Sequence, residues 1–127
     1  MKKTIAISDA ESQVMEVLWQ AHASLPAEDV VAALAVAQDW QEATVKTLLN
    51  RLLKKGAVSA RKDGRRYLYS PVLARDQWVT TESTGLVERL FGGRIAPLVA
   101  HFGKQHKLSK QDLDELTRLI EEMRDGE

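Results

Sequence analysis

Gln41-Glu42-Ala43-Thr44-Val45-Lys46-Thr47-Leu48-Leu49-Asn50-Arg51-Leu52-Leu53-Lys54-Lys55-Gly56 is the stretch on which the fold turns. Val45, Leu48, Leu49 and Leu52 recur at helical spacing and span about 100° of a helical wheel, one apolar face. Ala43, Lys46, Thr47, Asn50 and Lys54 fall opposite, with Arg51 and Lys55 on the border and Leu53 on the flank. The spacing predicts a helix from about Gln41 to Lys54, closed by Gly56 as a left-handed C-cap. Such a helix sits on its leucines and offers hydroxyls, an amide and lysines to something outside.

Downstream, Ala57 to Arg61 and Tyr67 to Ser70 are short β-prone runs around Lys62-Asp63-Gly64-Arg65. Asp-Gly between such runs predicts a hairpin, which Pro71 ends. Its tip carries Arg61, Lys62, Arg65 and Arg66. Upstream, Ser8-Asp9-Ala10-Glu11 reads as a capping box, with Ser8 as N-cap and Glu11 at the third helical position. Ile7, Ala10, Val14, Met15, Leu18 and Trp19 supply that helix's apolar face, which fades near His22. Ala23-Ser24-Leu25 reads as a connector. Pro26 suits the first turn of a second helix, Glu28 and Asp29 favour its positive end, and Val30, Val31, Leu34 and Val36 form its stripe. Gln38-Asp39-Trp40 is a turn. Three helices followed by a basic two-stranded ribbon are the parts of a winged helix-turn-helix domain, here residues 1–72.

Beyond Pro71 the pattern is helical again over 74–91, broken by Gly92-Gly93, and again from about Ile95 to Phe102. Gly103 to Leu108 reads as a polar linker and Ser109 as a new N-cap. Leu113, Leu116, Ile120 and Met123 then repeat at coiled-coil a/d spacing, widened by Leu119. Residues 73–127 therefore read as a dimerisation region, with Trp78, Leu86, Leu90, Leu98, Leu113, Leu116, Ile120 and Met123 as contact candidates. The expected fold class is mainly α with a small β-hairpin.

The chain has 127 residues, 44% hydrophobic and 28% charged, which suits one compact domain or a small domain with an appendage. Its net charge is zero, but the charge is segregated. Residues 46–66 hold eight basic side chains and one acid, Asp63, whereas residues 1–45 hold two basic and seven acidic. A local positive block is what a polyanion needs, because phosphate neutralisation is local. Base-edge reading falls to Ala43, Thr44, Lys46, Thr47 and Asn50. Phosphate contact falls to Arg51, Lys54, Lys55, Arg61, Lys62, Arg65 and Arg66.

Other classes are poorly supported. The sequence contains no cysteine, so it excludes disulfides and thiolate metal clusters. It shows no glycine-rich phosphate loop, no HExxH helix and no nucleophile beside a base, so no enzyme, small-molecule substrate or cofactor is expected. His22, His101 and His106 are the histidines, and His101 and His106 are too far apart in sequence for one helical face, so no metal is expected. Trp19, Trp40 and Trp78 read as packing residues. Met1-Lys2-Lys3-Thr4 leads into Asp9 and Glu11 without an apolar core, unlike a signal peptide, and no run approaches the roughly 18 apolar residues of a membrane span. A cytoplasmic protein is expected, with double-stranded DNA and a second copy of itself as partners. A winged helix that docks a protein, and a metal-responsive regulator, are the alternatives.

Ile7-Ser8-Asp9-Ala10-Glu11 with Val14, Met15 and Trp19, then Trp40, then Thr44 to Leu52 and Lys54-Lys55-Gly56, resembles the BlaI/MecI/CopY family of bacterial repressors. The resemblance runs on through Asp63-Gly64-Arg65, Tyr69-Ser70-Pro71, Phe91-Gly92-Gly93, Leu98 to Phe102 and Leu108-Ser109. It implies a homodimeric winged-helix repressor of a palindromic operator, dimerised by its C-terminal helices. Thr44, Thr47, Leu48, Arg51 and Lys55 match the family's recognition-helix pattern. Lys46 stands where the family often has Arg, and Gln41-Glu42-Ala43 departs from its Ser-Pro-Lys, losing a cation and gaining an acid. The missing cysteines exclude the copper-sensing branch. The β-lactam-resistance branch implies relief by proteolysis at the bond matching His101-Phe102, with His101 in place of Asn, under an indirectly acting membrane sensor protease.

Overall fold

The apolar face that runs from Val45 to Leu52 is the centre of the core. The computed structural model describes residues 5–126, so the reading of Met1 to Thr4 lies outside the described residues. Helix α1 spans Asp9–Ala21, strand β1 Leu25–Pro26, α2 Ala27–Gln38 and α3 Glu42–Lys55. The hairpin follows as β2 (Val58–Asp63) and β3 (Arg66–Pro71), then α4 (Arg75–Phe91), α5 (Ile95–Lys104) and α6 (Lys110–Asp125). The architecture is mainly α with one small antiparallel sheet, a winged helix in its N-terminal part. The chain divides into two units, Met1–Thr81 and Glu82–Glu127.

In the first unit, Val45, Leu48, Leu49 and Leu52 of α3 are buried with Val14, Met15 and Leu18 of α1 and Val30 and Leu34 of α2. Ala57, Val58 and Leu73 extend this core toward the sheet. Each predicted cap holds. Ser8 accepts from the Glu11 amide at 3.1 Å, while the Glu11 carboxylate accepts from the Ser8 amide at 2.7 Å. Gly56 closes α3 at φ 79°, where a Cβ would be strained. Trp19 donates to the Leu73 carbonyl at 2.9 Å, and its ring packs on Trp78 with centroids 5.4 Å apart.

Three local expectations are corrected. Leu25 and Pro26, read as connector and first helical turn, form an edge strand, with Leu25 opposite Tyr69 and Pro26 opposite Leu68. Proline is tolerated at a sheet edge, and it serves as the N-cap of α2 rather than inside it. Val36 is 90% exposed, because at about 100° per residue it stands on the far side of α2 from the buried Val30 and Leu34. The hairpin turn is Gly64-Arg65, since Asp63 pairs with Arg66. Gly64 alone of the two has positive φ, the sign pattern of a type II′ turn rather than the I′ turn that Asp-Gly favours.

A fourth finding joins distant parts of the chain. Glu11 is 1% exposed, and one of its carboxylate oxygens lies 2.5 Å from Lys55 Nζ at the end of α3. Burial alone would raise its pKa. Hydrogen bonds from Lys55 and Ser8 outweigh that and hold the carboxyl below its ordinary value. Lys55, expected on phosphate, is thus engaged by Glu11 within the fold.

The second unit is built differently. Gly92 and Gly93, both at positive φ, separate α4 from α5. Helix α5 continues to Lys104, into the expected linker. Ser109 caps α6 with Asp112 as its reciprocal partner. Val87 is buried, but α5 and α6 have no buried residue among those described. No described helix is long and apolar enough to cross a membrane.

Leu52→Ala removes a fully buried side chain and should cost ~2–5 kcal/mol of unfolding free energy, measured by urea titration. Lys55→Ala strands a buried carboxylate and should cost ~1–3 kcal/mol at neutral pH. Because the Glu11 pKa is lowered by folding, the stability it contributes is full above a glutamate's ordinary pKa. It drains away as pH falls through the lowered value. The gap between wild type and Lys55→Ala should therefore narrow on acidification, and a gap independent of pH would contradict the assignment.

Candidate nucleic-acid interface

The buried face of α3 fixes what its other face presents. Ala43, Thr44, Lys46, Thr47, Asn50, Arg51 and Lys54 are all exposed. Thr47 donates its hydroxyl hydrogen to the Ala43 carbonyl at 2.9 Å, which leaves its lone pairs and methyl free for a base edge. Lys46 Nζ lies 2.7 Å from Glu42 Oε1, four residues earlier. The hydrogen bond lowers the Glu42 pKa and raises that of Lys46, so both stay charged at neutral pH. Ala43, Thr44, Thr47 and Arg51 rim an open hollow on this face.

The hairpin adds Arg61, Lys62, Arg65 and Arg66, all exposed. Arg66 reaches Glu28 of α2 at 3.4 Å and Asp63 at 4.0 Å. Among the described residues, Arg51, Lys54, Arg61, Lys62 and Arg65 enter no ion pair. Between the start of α2, the first turn of α3 and β3 lies a cleft of about 280 Å³, bordered by Glu28, Glu42, Lys46, Arg66, Tyr67 and Tyr69. Nothing in the sequence pattern marks Glu28, Tyr67 or Tyr69 as interface residues. The Glu42–Lys46 spacing was a readable signal, whereas the Glu28–Arg66 contact across 38 residues was not. Protein side chains therefore surround a solvent-open basic face, with hydroxyls and an amide between the cations. That chemistry suits a duplex groove and its phosphates.

The dimerisation candidates separate. Trp78 is packed on Trp19 in the first unit. In the second unit, Leu86, Leu90, Leu113, Ile120 and Met123 are exposed and Leu98 and Leu116 half-buried. His101 and Phe102 lie within α5, both exposed, with the His101 ring 6.1 Å from Phe91 and 5.9 Å from Phe102. Among the described residues, no group of three or more His, Cys, Asp or Glu side chains could hold a metal.

Comparison with known proteins places the chain in a family. Residues 7–122 match the family model described as penicillinase repressor. The penicillinase repressor of Bacillus licheniformis is 34% identical over 122 residues, covering 96% of this chain and 94% of that protein. The methicillin resistance regulatory protein MecI of Staphylococcus aureus is 29% identical over 119 residues, covering 93% and 95%. The solution structure of the DNA-binding domain of the repressor BlaI aligns at a TM-score of 0.54 and 40% identity, over 61% of this chain and 93% of that one. The monomeric form of Bacillus licheniformis BlaI, in complex with the blaP half-operator, aligns at 0.52 and 40% over the same shares. The chain belongs to the penicillinase repressor family, whose members are DNA-binding transcriptional repressors and not enzymes.

Proposed function

We propose that this protein represses transcription by binding a palindromic operator as a homodimer, with residues 1–72 on DNA and residues 73–127 pairing the two copies. One observation carries the reading: the outward face of α3 is open beside a hairpin of arginines, while its leucines are buried. Lys46, Thr44, Thr47, Asn50 and the Ala43 methyl would meet base edges. Arg51, Lys54, Arg61, Lys62, Arg65 and Arg66 would meet phosphates. Lys55 has a smaller part, since Glu11 already holds it. The complex of BlaI with a half-operator supports operator DNA as the partner.

Pairing answers a need of the second unit. Leu90 is 65% exposed and Met123 67%, and Leu113 and Ile120 are about half exposed. A second copy would cover these side chains and Leu86, Leu98 and Leu116 by the hydrophobic effect. Trp78 would steady the start of α4 instead of the pairing surface. A two-fold pair presents two recognition helices about 34 Å apart, one turn of duplex, and joining the heads raises their effective concentration on DNA. The function belongs in the cytoplasm. Release would come from cleavage at His101-Phe102, governed indirectly by a membrane sensor protease. That bond is inside α5, so α5 must unwind locally before a protease can hold it extended.

Arg65→Ala should weaken binding to every duplex alike and reduce the slope of log affinity against log salt by about one unit or less, measured by filter binding. A salt-independent wild-type titration would remove DNA as the partner and leave α3 as a protein-docking helix. Leu116→Asp should give monomers by analytical ultracentrifugation, with the head still folded. Dimers persisting in that variant would refute the α6 seam.

A further inference from the structure

Apart from Lys55, which Glu11 holds, the cations around α3 fall into two groups. Arg51, Lys54, Arg61, Lys62 and Arg65 enter no ion pair among the described residues, and they suit phosphates. Lys46 and Arg66 border the cleft beside α3, and each is held by an acid, Glu42 and Glu28. Two acids at the edge of a polyanion-binding face work against affinity for DNA in general. Building on the DNA-binding reading above, we infer that Glu42 is a specificity-determining residue that, together with Lys46, reads one C·G base pair in the major groove.

The chemistry is one of complementary edges. A carboxylate only accepts hydrogen bonds and an ammonium only donates them. In the major groove, cytosine offers its N4 amino group as donor, and its paired guanine offers O6 and N7 as acceptors. In the base pair cytosine N4–H donates a hydrogen bond to guanine O6, so the two groups lie side by side. Glu42 Oε1 and Lys46 Nζ also lie side by side, 2.7 Å apart. The ion pair can therefore meet the base pair as a unit, carboxylate to N4 and ammonium to O6 and N7. An A·T pair suits it worse. Its adenine N6 donor is flanked on both sides by acceptors, adenine N7 and thymine O4, and both repel a carboxylate. In C·G, the acceptor beside N4 is the one that Lys46 takes.

Position supports the same conclusion. Glu42 is in the first turn of α3, and the N-terminal part of a recognition helix is what reaches base edges. An ordinary surface pair four residues apart would only steady that turn. Glu42 would instead exclude sites that lack a donor opposite it, while the unpaired arginines and lysines supply affinity.

The test uses the full-length protein and a duplex pool with a randomised core. Selection with wild type should yield a preferred site containing an invariant C·G pair. Replacing its cytosine with 2-pyrimidinone deletes only the N4 amino group. Wild type should lose roughly tenfold or more on that duplex relative to the same replacement at other cytosines. Glu42→Ala should show little of this loss and should bind the random pool more tightly than wild type. Glu28→Ala should bind more tightly too, but keep the wild-type loss. If wild type tolerates 2-pyrimidinone at every cytosine, or Glu42→Ala keeps the full loss, the inference is overturned while DNA binding stands. If wild type binds no duplex, the DNA-binding reading falls and this inference with it.

Discussion

Everything on the working face of the first unit depends on how α3 is rotated about its own axis, and that rotation is set by burial. Val45, Leu48, Leu49 and Leu52 lie in one core with Val14, Met15, Leu18, Val30 and Leu34. Successive helical residues are offset by about 100°, so a shift of one position would push Lys46 or Asn50 into this core. An unpaired charge or amide there would cost more than the fold can absorb. The hydrophobic effect has no direction of its own. It nevertheless aims Thr44, Lys46, Thr47 and Asn50 outward, because only one rotation of α3 buries Val45, Leu48, Leu49 and Leu52 together.

Charge then divides the labour on that face. A chain of zero net charge concentrates eight cations in residues 46–66. The fold separates them into three sorts. Lys55 is drawn into the structure by Glu11, Lys46 and Arg66 are accompanied by surface acids, and the rest face solvent with no ion pair among the described residues. Cations in the first sort hold helices together. Those in the last sort meet a phosphate at little cost, because no internal partner has to be given up. The second unit depends on apolar surface, and α5 and α6 carry more of it than their own unit covers.

Features encoded within a few residues were legible before any coordinates. The capping boxes at Ser8 and Ser109, the Gly56 terminus and the face of α3 each depend on spacings of three or four. Membership of the family was legible too, from motifs spread along nearly the whole chain. What escaped reading was encoded across the fold. A two-residue strand has no periodicity to detect, and Leu25–Pro26 is defined by its partner β3, more than 40 residues away. The role of Lys55 depends on an acid that looked like an ordinary cap. The one-residue offset of the hairpin turn reflects the pairing of Asp63 with Arg66, a choice between two turns that Gly64 permits equally.

Glu11 does two jobs with one carboxylate: it completes the start of α1 and it holds the end of α3. The two jobs are tied in time. When α1 is formed but α3 is adrift, the acid lacks its lysine. When α3 is docked but α1 is loose, the lysine loses its anchor. Partly assembled forms are thereby penalised from both ends, and the head gains an all-or-none character beyond what packing of leucines provides. For a protein whose output depends on showing one helix in one pose, such cooperativity keeps misaligned versions of that helix scarce.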